Sequence, residues 1–453
     1  MPNRPWNTEA RATIALAWPI ALTNLSQMAL LVTDAVMLGH YSPQALAAST
    51  LGANLYWLLF PIPFGIAHAA APMLAQARGR KLHHVRDMRR TVRQGFWACT
   101  AAALPAWALL WHSGALLVLM GQDPGLAADA QTFGRALMWG LLPFAWFMVL
   151  RGFIAALERP AMAMWVATAA ISFNALADYV LIFGHWGFPE LGIAGAGWAS
   201  TLSNVLMLLG LAGLIARDRR MRRFRLMGRF WRHDFPRLRE LYRLGLPISA
   251  ALLFETGVFA VAAFMMGAFG APALAAHAVA IQTAAATFMV PMGLSQAATA
   301  RVGLAVGAGN LLGAMRAGWT AIALAAGFMA LMALLLLTLP ELVAGLFLDE
   351  TNPESAAVIA QARVLLMLAG LFQVFDGVQA VAAGALRGLK DTRVPMLLAG
   401  LGYWGIGIPA AAFFAFKASW QGPGLWTGLV LGLAVVSVLM TARWARLSRV
   451  EVR

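Results

Sequence analysis

Long apolar runs constrain the fold of this chain more than any other feature of its sequence. Runs of about 20 mostly apolar residues recur along almost the whole length of the 453-residue chain. Only 12% of the residues are charged, whereas a soluble domain usually carries about 25%. Spanning segments in a bilayer must be helices or closed barrels, and these runs are too long and too apolar for barrel strands. The sequence therefore predicts an all-α polytopic membrane protein.

Basic residues between the apolar runs predict the orientation of the chain. Twelve transmembrane helices can be drawn, near residues 12–37, 45–75, 95–120, 132–152, 161–184, 192–216, 242–268, 274–300, 317–340, 357–384, 394–416 and 424–445. Seven basic residues lie in Arg78–Arg93 and eleven arginines in Arg217–Arg243, each after an even-numbered span, whereas Glu341–Glu354 after the ninth span is acidic. The positive-inside rule then places both termini in the cytoplasm. Because the net charge of +15 is concentrated in such loops, no nucleic-acid partner is expected.

The sequence also repeats itself at a period of 228 residues. Pro19 corresponds to Pro247, and Gly65 corresponds to Gly293. A period that contains six helices preserves their orientation, so we expect two six-helix lobes related by a pseudo-two-fold axis along the membrane normal. The predicted division is residues 1–216 for the N-terminal lobe, 217–243 for a basic cytoplasmic linker and 244–453 for the C-terminal lobe. Two such lobes can alternate access to a shared cavity by rocking.

Four carboxylic acids lie inside the apolar runs: Asp34, Asp178, Glu255 and Asp376. An acid in the bilayer core costs at least about 2.5–3.5 kcal/mol, so such residues usually serve a function. We expect no Lys or Arg at comparable depth to neutralise them. The four acids therefore indicate a polar, cation-attracting cavity, which is typical of an ion-coupled transporter.

The first two acids are predicted to lie at a similar height in outward-running spans. Asn174 precedes Asp178 by one helical turn, so both lie on one face of their helix. Two carboxyls in one apolar pocket cannot comfortably both be ionised, so the pair can carry a proton or hold Na⁺ together with neutral oxygens. The alternative for Asp34 is a structural role, in which it caps or kinks its helix.

Several amides accompany the acids. Gln27 lies at the repeat position of Glu255, and the pair Asn54 and Gln282 is also repeat-equivalent. Gln373 and Gln379 flank Asp376 at three residues on either side, which makes a narrow polar stripe that should face a water-filled cavity. Glu255, Asp376 and these amides are candidates for ion or substrate contact. The alternative is hydrogen bonding between helices, by a protonated acid or by the amides.

Motifs of common enzymes are absent from the sequence. It contains no GK[ST] phosphate loop and no HExxH, and Cys99 is its single cysteine. The stretch Gly400–Gly405 fits the GxGxxG pattern, but it lies inside a predicted span, where close helix packing explains it better. We therefore expect neither an enzyme nor a cofactor, and uphill transport would have to draw on an ion gradient.

Four longer stretches resemble a known transporter family. They are LAWPIALTNLSQMALLVTDAVMLGH with Pro19, Gln27 and Asp34; LGLPISAALLFETGVFAVAAFMMGAFG with Glu255; VPMGLSQAATARVG (Val290–Gly303); and FDGVQAVAAGALRGLKDTRVPM (Phe375–Met396). They are similar to the first, seventh, eighth and tenth helices of the multidrug and toxic compound extrusion (MATE) family. The joint presence of Glu255 and Asp376 resembles the NorM-like bacterial branch.

This resemblance implies export of cationic amphipathic drugs in exchange for H⁺ or Na⁺. It implies an ion or proton site in the N-terminal lobe at Asp34, Asn174, Asp178 and Thr201, and a site in the C-terminal lobe at Glu255 and Asp376. Na⁺ could bind at either set. Some NorM-like members carry an amide in place of Asp178, which leaves the coupling ion open. A monomer in the bacterial inner membrane is expected, with the lipid bilayer and small-molecule drugs as its partners.

Two other functions remain as alternatives from the sequence. The first is a lipid-linked precursor flippase, since relatives of this architecture carry such cargo. A flippase for anionic headgroups should line its cavity with Arg or Lys, whereas this chain presents acids. The second is a membrane-embedded enzyme that uses paired acids, which the internal repeat and the missing cofactor motifs disfavour.

Overall fold

The structure is a computed structural model, and it describes residues 5–80, 82–228, 230–347 and 355–450. Within these ranges the chain consists of helices and turns, with no strand. The helices are α1 (Trp6–Tyr41), α2 (Pro43–Leu59), α3 (Pro61–Gly79), α4 (His84–Trp111), α5 (Ser113–Leu119), α6 (Pro124–Leu137), α7 (Leu141–Ala156), α8 (Ala161–Phe183), α9 (Ile193–Arg217), α10 (Phe235–Gly267), α11 (Ala271–Gly307), α12 (Leu311–Thr338), α13 (Pro340–Gly345), α14 (Ser355–Gly388), α15 (Arg393–Gly400), α16 (Ile408–Ala412) and α17 (Gln421–Val450).

The number of spans agrees with the sequence. Among the described residues, ten helical segments are long and apolar enough to cross a membrane, and two bent helix pairs bring the number to twelve if each pair is one span. The prediction of an all-α polytopic membrane protein is therefore confirmed. Three acids of the predicted acidic loop, Asp349, Glu350 and Glu354, lie outside the described residues.

Two of the predicted spans are broken rather than straight. Between α2 and α3 the chain bends by 46° at Phe60, where Pro61 and Pro63 begin the next helix. Proline is favoured in a first helical turn because it has no N–H to leave unpaired there. Between α4 and α5 the chain bends by 60° at His112. The eleventh span differs in another way, because π-helical turns over Leu401–Gly407 interrupt it.

The chain packs into two compact units. One unit, here called the N-unit, comprises residues 22–249, and the other, the C-unit, comprises residues 1–21 and 250–453. The two boundaries, after residues 21 and 249, are 228 residues apart, which is the period of the sequence repeat. The first helix of each repeat, α1 or α10, is therefore divided between the two units at the equivalent residue. The lobe boundaries at residues 216 and 243 stay a prediction.

One glycine in each unit permits a divided helix to pack closely on a neighbouring helix of the same unit, α10 on α3 and α1 on α11. A Cβ atom added to Gly65 of α3 would lie 2.6 Å from the backbone nitrogen of Ser249 in α10. A Cβ atom added to Gly293 of α11 would lie 2.9 Å from the carbonyl oxygen of Ala17 in α1. Since no real side chain fits at these distances, both positions of the repeat require glycine.

The basic segment after α9 packs on α4 within the N-unit. The Arg93 guanidinium donates a hydrogen bond to the carbonyl of Gly228 at 2.8 Å. The Trp97 indole donates to the carbonyl of Phe230 at 3.0 Å. Both donors belong to α4, so the described part of this segment is attached to the side of a helix.

Candidate functional site

The structure brings three of the predicted site residues together inside the N-unit. Asp34 comes from α1, and Asn174 and Asp178 come from successive turns of α8. The side chains of Asn174 and Asp178 lie next to the Asp34 carboxyl. All three residues are buried, with exposed fractions of 7% for Asp34 and 0% for the other two. The helix α1 continues past Asp34 to Tyr41, so Asp34 does not cap a helix.

The hydrogen bonding of this cluster is incomplete. The Ser200 hydroxyl of α9 donates a short hydrogen bond to Asp34 Oδ2. Within the described part of the chain, Asp34 Oδ1, both Asp178 oxygens and both polar atoms of the Asn174 amide have no well-aligned hydrogen-bond partner. A buried acceptor without a donor is costly, and a buried charge without a partner is more so. The cluster, defined here as Asp34, Asn174, Asp178 and Ser200, is therefore suited to take up a proton or a small cation.

Thr201 is placed differently from its predicted neighbours. Its hydroxyl donates to the carbonyl of Ala136 at 2.7 Å, so its proton is committed to the backbone at the end of α6. Its role in ion binding, which the resemblance implies, stays a prediction, and the bond of its hydroxyl to the backbone favours a structural role instead. Ser200, one residue earlier, provides the hydroxyl that reaches Asp34, and the sequence analysis did not identify it. The available signal was its position beside Thr201, but adjacent residues on a helix point about 100° apart.

Basic side chains do lie in the interior, so the expectation that no Lys or Arg reaches comparable depth is wrong. Arg151 of α7 is only 3% exposed, and its Nη2 donates to the Asn24 side chain of α1 at 2.7 Å. Arg387 of α14 interacts electrostatically with Glu255 and donates to Ser295 at 2.7 Å. Both arginines lie at the predicted ends of spans, where the sequence suggests a flanking residue exposed to water. Arg151 lies more than one turn before the end of α7, and Arg387 lies in the last turn of α14, yet both side chains bond to groups inside their unit.

The second pair of predicted acids meets in the C-unit. Glu255 of α10, which is half-buried, and Asp376 of α14, which is buried, line the same narrow cavity together with the buried Tyr403. The volume open to the centre of a water molecule is about 10 Å³, so the cavity has room for roughly one water molecule. Apolar walls come from Phe259 and Phe372. In this conformation the cavity fits a water or a small ion and is too small for a drug molecule.

The predicted polar stripe on α14 is buried and partly hydrogen-bonded to neighbouring groups. Gln379 donates to the Tyr403 hydroxyl at 2.9 Å, and Gln373 accepts from Thr287 at 2.8 Å. Gln379 and Gln373 are 6% and 1% exposed, which favours hydrogen bonding between helices, whereas Gln373 Nε2 has no hydrogen-bond acceptor among the described residues. Ion or substrate contact by these two amides stays a prediction. Tyr403 is a further residue of this site that the sequence analysis did not identify.

The remaining predicted amides lie outside both clusters. Asn54 and Gln282 are exposed on their helices, in keeping with their equivalent repeat positions. Gln27 is half-buried, and its Nε2 has no hydrogen-bond acceptor among the residues that the structure describes. Ion or substrate contact by these three residues stays a prediction.

Comparison with known proteins identifies the family of the chain. The family model described as MatE matches residues 19–180 and 247–413, one match in each repeat. A "Probable multidrug resistance protein NorM" of Mesorhizobium japonicum is 51% identical, over 99% of this chain and 96% of the relative. A protein with the same description from Brucella suis is 49% identical, over 97% of this chain and 94% of the relative.

A solved structure supports the same assignment at the level of the fold. The crystal structure of the eukaryotic MATE transporter AtDTX14 superposes with a TM-score of 0.86 and covers 98% of each chain at 23% sequence identity. The predictions of a membrane transporter rather than an enzyme, and of small-molecule substrates, are confirmed at the level of the family. On the match of the family model to both repeats and on the near full-length relatives, the chain belongs to the MatE family of membrane transporters.

Proposed function

We propose that this chain is a secondary active exporter of cationic amphipathic drugs, which it exchanges for H⁺ or Na⁺. The relatives described as multidrug resistance proteins support the substrate class. Carboxylates buried in both units support a positively charged driving ion. Acids at both sites make the flippase alternative less suitable, because an anionic cargo would be repelled.

The observation that carries the proposal is the incomplete bonding of the Asp34 and Asp178 carboxyls. Two adjacent carboxyls in a medium of low dielectric cannot both be charged without a neutralising cation. Three of their four oxygens have no well-aligned hydrogen-bond donor among the described residues. A proton or Na⁺ that enters from outside would neutralise the pair, and its loss on the inner side would restore the charge. Because the ion binds one conformation more tightly than another, it shifts the equilibrium between them and so drives alternating access.

We propose a second small-ion site at Glu255 and Asp376. The two acids interact electrostatically, and the Arg387 guanidinium partly offsets their charge. The cavity that they share has room for about one water molecule. These dimensions favour a proton or Na⁺ over a drug at this position.

The remaining features of the proposal follow the charge distribution of the loops. We propose that the chain is a monomer of the bacterial inner membrane, with both termini in the cytoplasm. The arginines that follow α3 and α9 would then lie on the cytoplasmic side.

The decisive experiment imposes one ion gradient at a time on purified protein in liposomes. Uptake of ethidium would be measured with an imposed ΔpH and no sodium gradient, and then with an imposed ΔpNa at equal pH. We expect movement with one of these gradients and none without a gradient. Absence of coupled transport under both conditions, from protein that is folded and inserted, would contradict the proposal.

A further inference from the structure

A basic cavity lies at one end of the N-unit, apart from both acid clusters. Its lining residues come from the end of α3, from the turn after α7 and from the segment after α9: Arg78, Leu157, Arg159, Arg220, Met221, Arg223 and Phe224. The volume open to the centre of a water molecule is about 310 Å³. This volume is sufficient for a small ligand or for the polar part of a larger one.

The charge of this cavity is strongly positive. Of its four arginines, Arg159 forms a salt bridge to Asp218 at 2.6 Å. The backbone N–H of Arg220 donates to the Asp218 carboxylate, which holds the pKa of that carboxyl below its usual value, so Asp218 remains ionised at neutral pH. Within the described part of the chain, Arg78, Arg220 and Arg223 form no salt bridge. Three guanidinium groups are thus available to an anion.

The cavity is built on buried side chains rather than on a loose loop. Met221 and Phe224 are each only 1% exposed. The Phe224 ring packs edge-on against Phe153 of α7, with ring centroids 5.1 Å apart. The Arg223 guanidinium lies 5.4 Å from the centroid of the Phe224 ring. The aromatic anchor therefore holds the arginines of this segment next to the ends of α3 and α7.

Guanidinium groups next to apolar side chains favour a ligand that carries a phosphate group attached to a less polar part. The planar guanidinium matches the oxygens of a phosphate group and can bind it through two parallel hydrogen bonds. Leu157, Met221 and Phe224 supply apolar surface for the part of the ligand next to the phosphate. Basic pockets on the cytoplasmic side of membrane proteins are suited to anionic lipid headgroups. The cavity lies in the loops that the positive-inside rule assigns to this side.

We propose that this cavity binds a phosphate ester, in the form of the headgroup of an anionic phospholipid, and that Arg78 and Arg223 contact its phosphate. The bound headgroup would bridge α3, the turn after α7 and the segment after α9. It would thereby hold that segment against the ends of α3 and α7. This site is independent of the acid clusters and of the identity of the coupling ion.

Binding can be tested by native mass spectrometry of the detergent-purified protein titrated with phosphatidylglycerol. We expect saturable binding of phosphatidylglycerol and none of phosphatidylcholine at the same concentrations. In Arg78→Gln/Arg223→Gln we expect binding at least about tenfold weaker than in the matched control Arg219→Gln/Arg222→Gln. The control removes the same charge from two exposed arginines of the segment after α9 that do not line the cavity.

A second arm separates the lipid from a soluble ligand. Glycerol 3-phosphate and inorganic phosphate would be titrated in place of the lipid. In one outcome, glycerol 3-phosphate displaces phosphatidylglycerol from the wild-type protein but does not bind the Arg78→Gln/Arg223→Gln variant. This result would support the phosphate site and would show that a soluble phosphate ester can also occupy it. Equal loss of phosphatidylglycerol binding in the two double variants would overturn the proposal, because the attraction would then come from general surface charge. Arg78→Lys/Arg223→Lys, which keeps the charge, would serve as the test if the glutamine variant fails to fold.

Discussion

Asp34 and Asp178 are the residues whose burial most requires an explanation, since the bilayer interior disfavours charge and no cation within the described residues is paired with them. We expect Asp34→Asn to lower ethidium efflux from cells at least about tenfold, while the protein still reaches the membrane. The physical reason is that an amide neither binds a proton nor neutralises Na⁺. The measurement is fluorescence efflux from loaded cells, with the amount of protein in the membrane fraction determined in parallel.

The control for this variant is an acid outside the cluster. Asp129 lies on α6 and accepts a hydrogen bond from Gln44 at 2.9 Å. Asp129→Asn removes the same charge by the same chemical change, so efflux should stay close to that of the wild type. Efflux at the wild-type rate in Asp34→Asn would remove the basis of the coupling assignment.

Ser200 and Thr201 offer a sharper test, because they are adjacent and differ in what their hydroxyls bind. Ser200 donates to Asp34, whereas Thr201 donates to the carbonyl of Ala136. We expect Ser200→Ala to change the ion concentration at which transport is half-maximal, because it removes a ligand or donor from the coupling carboxyl. Thr201→Ala should leave that concentration unchanged and lower stability by about 1 kcal/mol, which is typical of one lost hydrogen bond. Transport at several pH values and sodium concentrations would distinguish the two outcomes, and an ion shift confined to Thr201→Ala would contradict the assignment.

Single residues also show which parts of the site can be predicted from the sequence. Asp34, Asn174 and Asp178 stand out because polar groups are rare in apolar runs and the spacing of four residues places two of them on one face. Ser200 does not stand out, because a serine is common in spanning helices. Arg151 misleads for a physical reason. An arginine near the end of a predicted span usually extends to the interface, and only the packing of α7 against α1 shows that it is buried.

At the scale of helices, close approach at glycine fixes how α11 meets the first part of α1. We expect Gly293→Ala to destabilise the protein by about 1–3 kcal/mol, because its Cβ would overlap the Ala17 carbonyl and force the helices apart. Gly327→Ala is the matched control, since a Cβ there meets no atom within 4 Å. It should be neutral or stabilise the protein by up to about 1 kcal/mol. Apparent melting temperatures of the purified variants would test this, and equal values for both would contradict the packing.

A buried ion pair provides a second test of the same helix contact. The Arg301 guanidinium donates to both oxygens of Glu9, at 2.9 and 2.7 Å, and both residues are at most 5% exposed. Glu9→Leu should destabilise the protein by about 3–5 kcal/mol, because it removes the carboxylate that neutralises a buried guanidinium. The double variant Glu9→Leu/Arg301→Met should recover most of this loss, since a neutral apolar pair needs no compensation. Unfolding in mixed micelles would be compared for the two variants, and no recovery in the double variant would show that Arg301 stabilises the fold by other contacts.

Most helices could be predicted from the sequence, but their breaks could not. Hydropathy locates spans because the bilayer forces every backbone group to be satisfied within its own helix. Hydropathy contains little information on bends, such as those at Phe60 and His112, because the two helices that meet at each bend are together apolar enough to read as one span. The π-helical turns over Leu401–Gly407 could not be predicted from hydropathy either, because they occur where two helices lie close together. Gly402 and Gly407 lie close to Gly432 of α17, and this contact is long in range along the chain.

At the scale of the whole molecule, the repeat accounts for the division of the chain into units. The first helix of each repeat is divided at the equivalent residue, so each unit combines most of one repeat with the beginning of the other repeat's first helix. The repeat in the sequence predicted two related halves. It did not predict that the beginning of each first helix belongs to the unit of the other repeat, because a period along the chain does not say which neighbour a helix packs against. Gly65 and Gly293 are the residues at which these helix beginnings, in α10 and α1 respectively, closely approach the rest of their unit.

Orientation in the membrane is the property of the whole molecule that can be tested most directly, because α9 joins two loops predicted to lie on opposite sides. Phe188 precedes this helix, Arg219 follows it, and both are exposed. A helix of 25 residues is about 37 Å long, which is enough to cross the bilayer. In a Cys99→Ala background, which removes the single and buried cysteine, Phe188→Cys should react with a membrane-impermeant maleimide added to intact cells. Arg219→Cys should react only after the cells are permeabilised, because eleven arginines in this segment favour the cytoplasm. Labelling of Arg219→Cys in intact cells would show that the orientation is opposite to the predicted one. The direction of the ion gradient that drives export would then have to be reversed in the proposal.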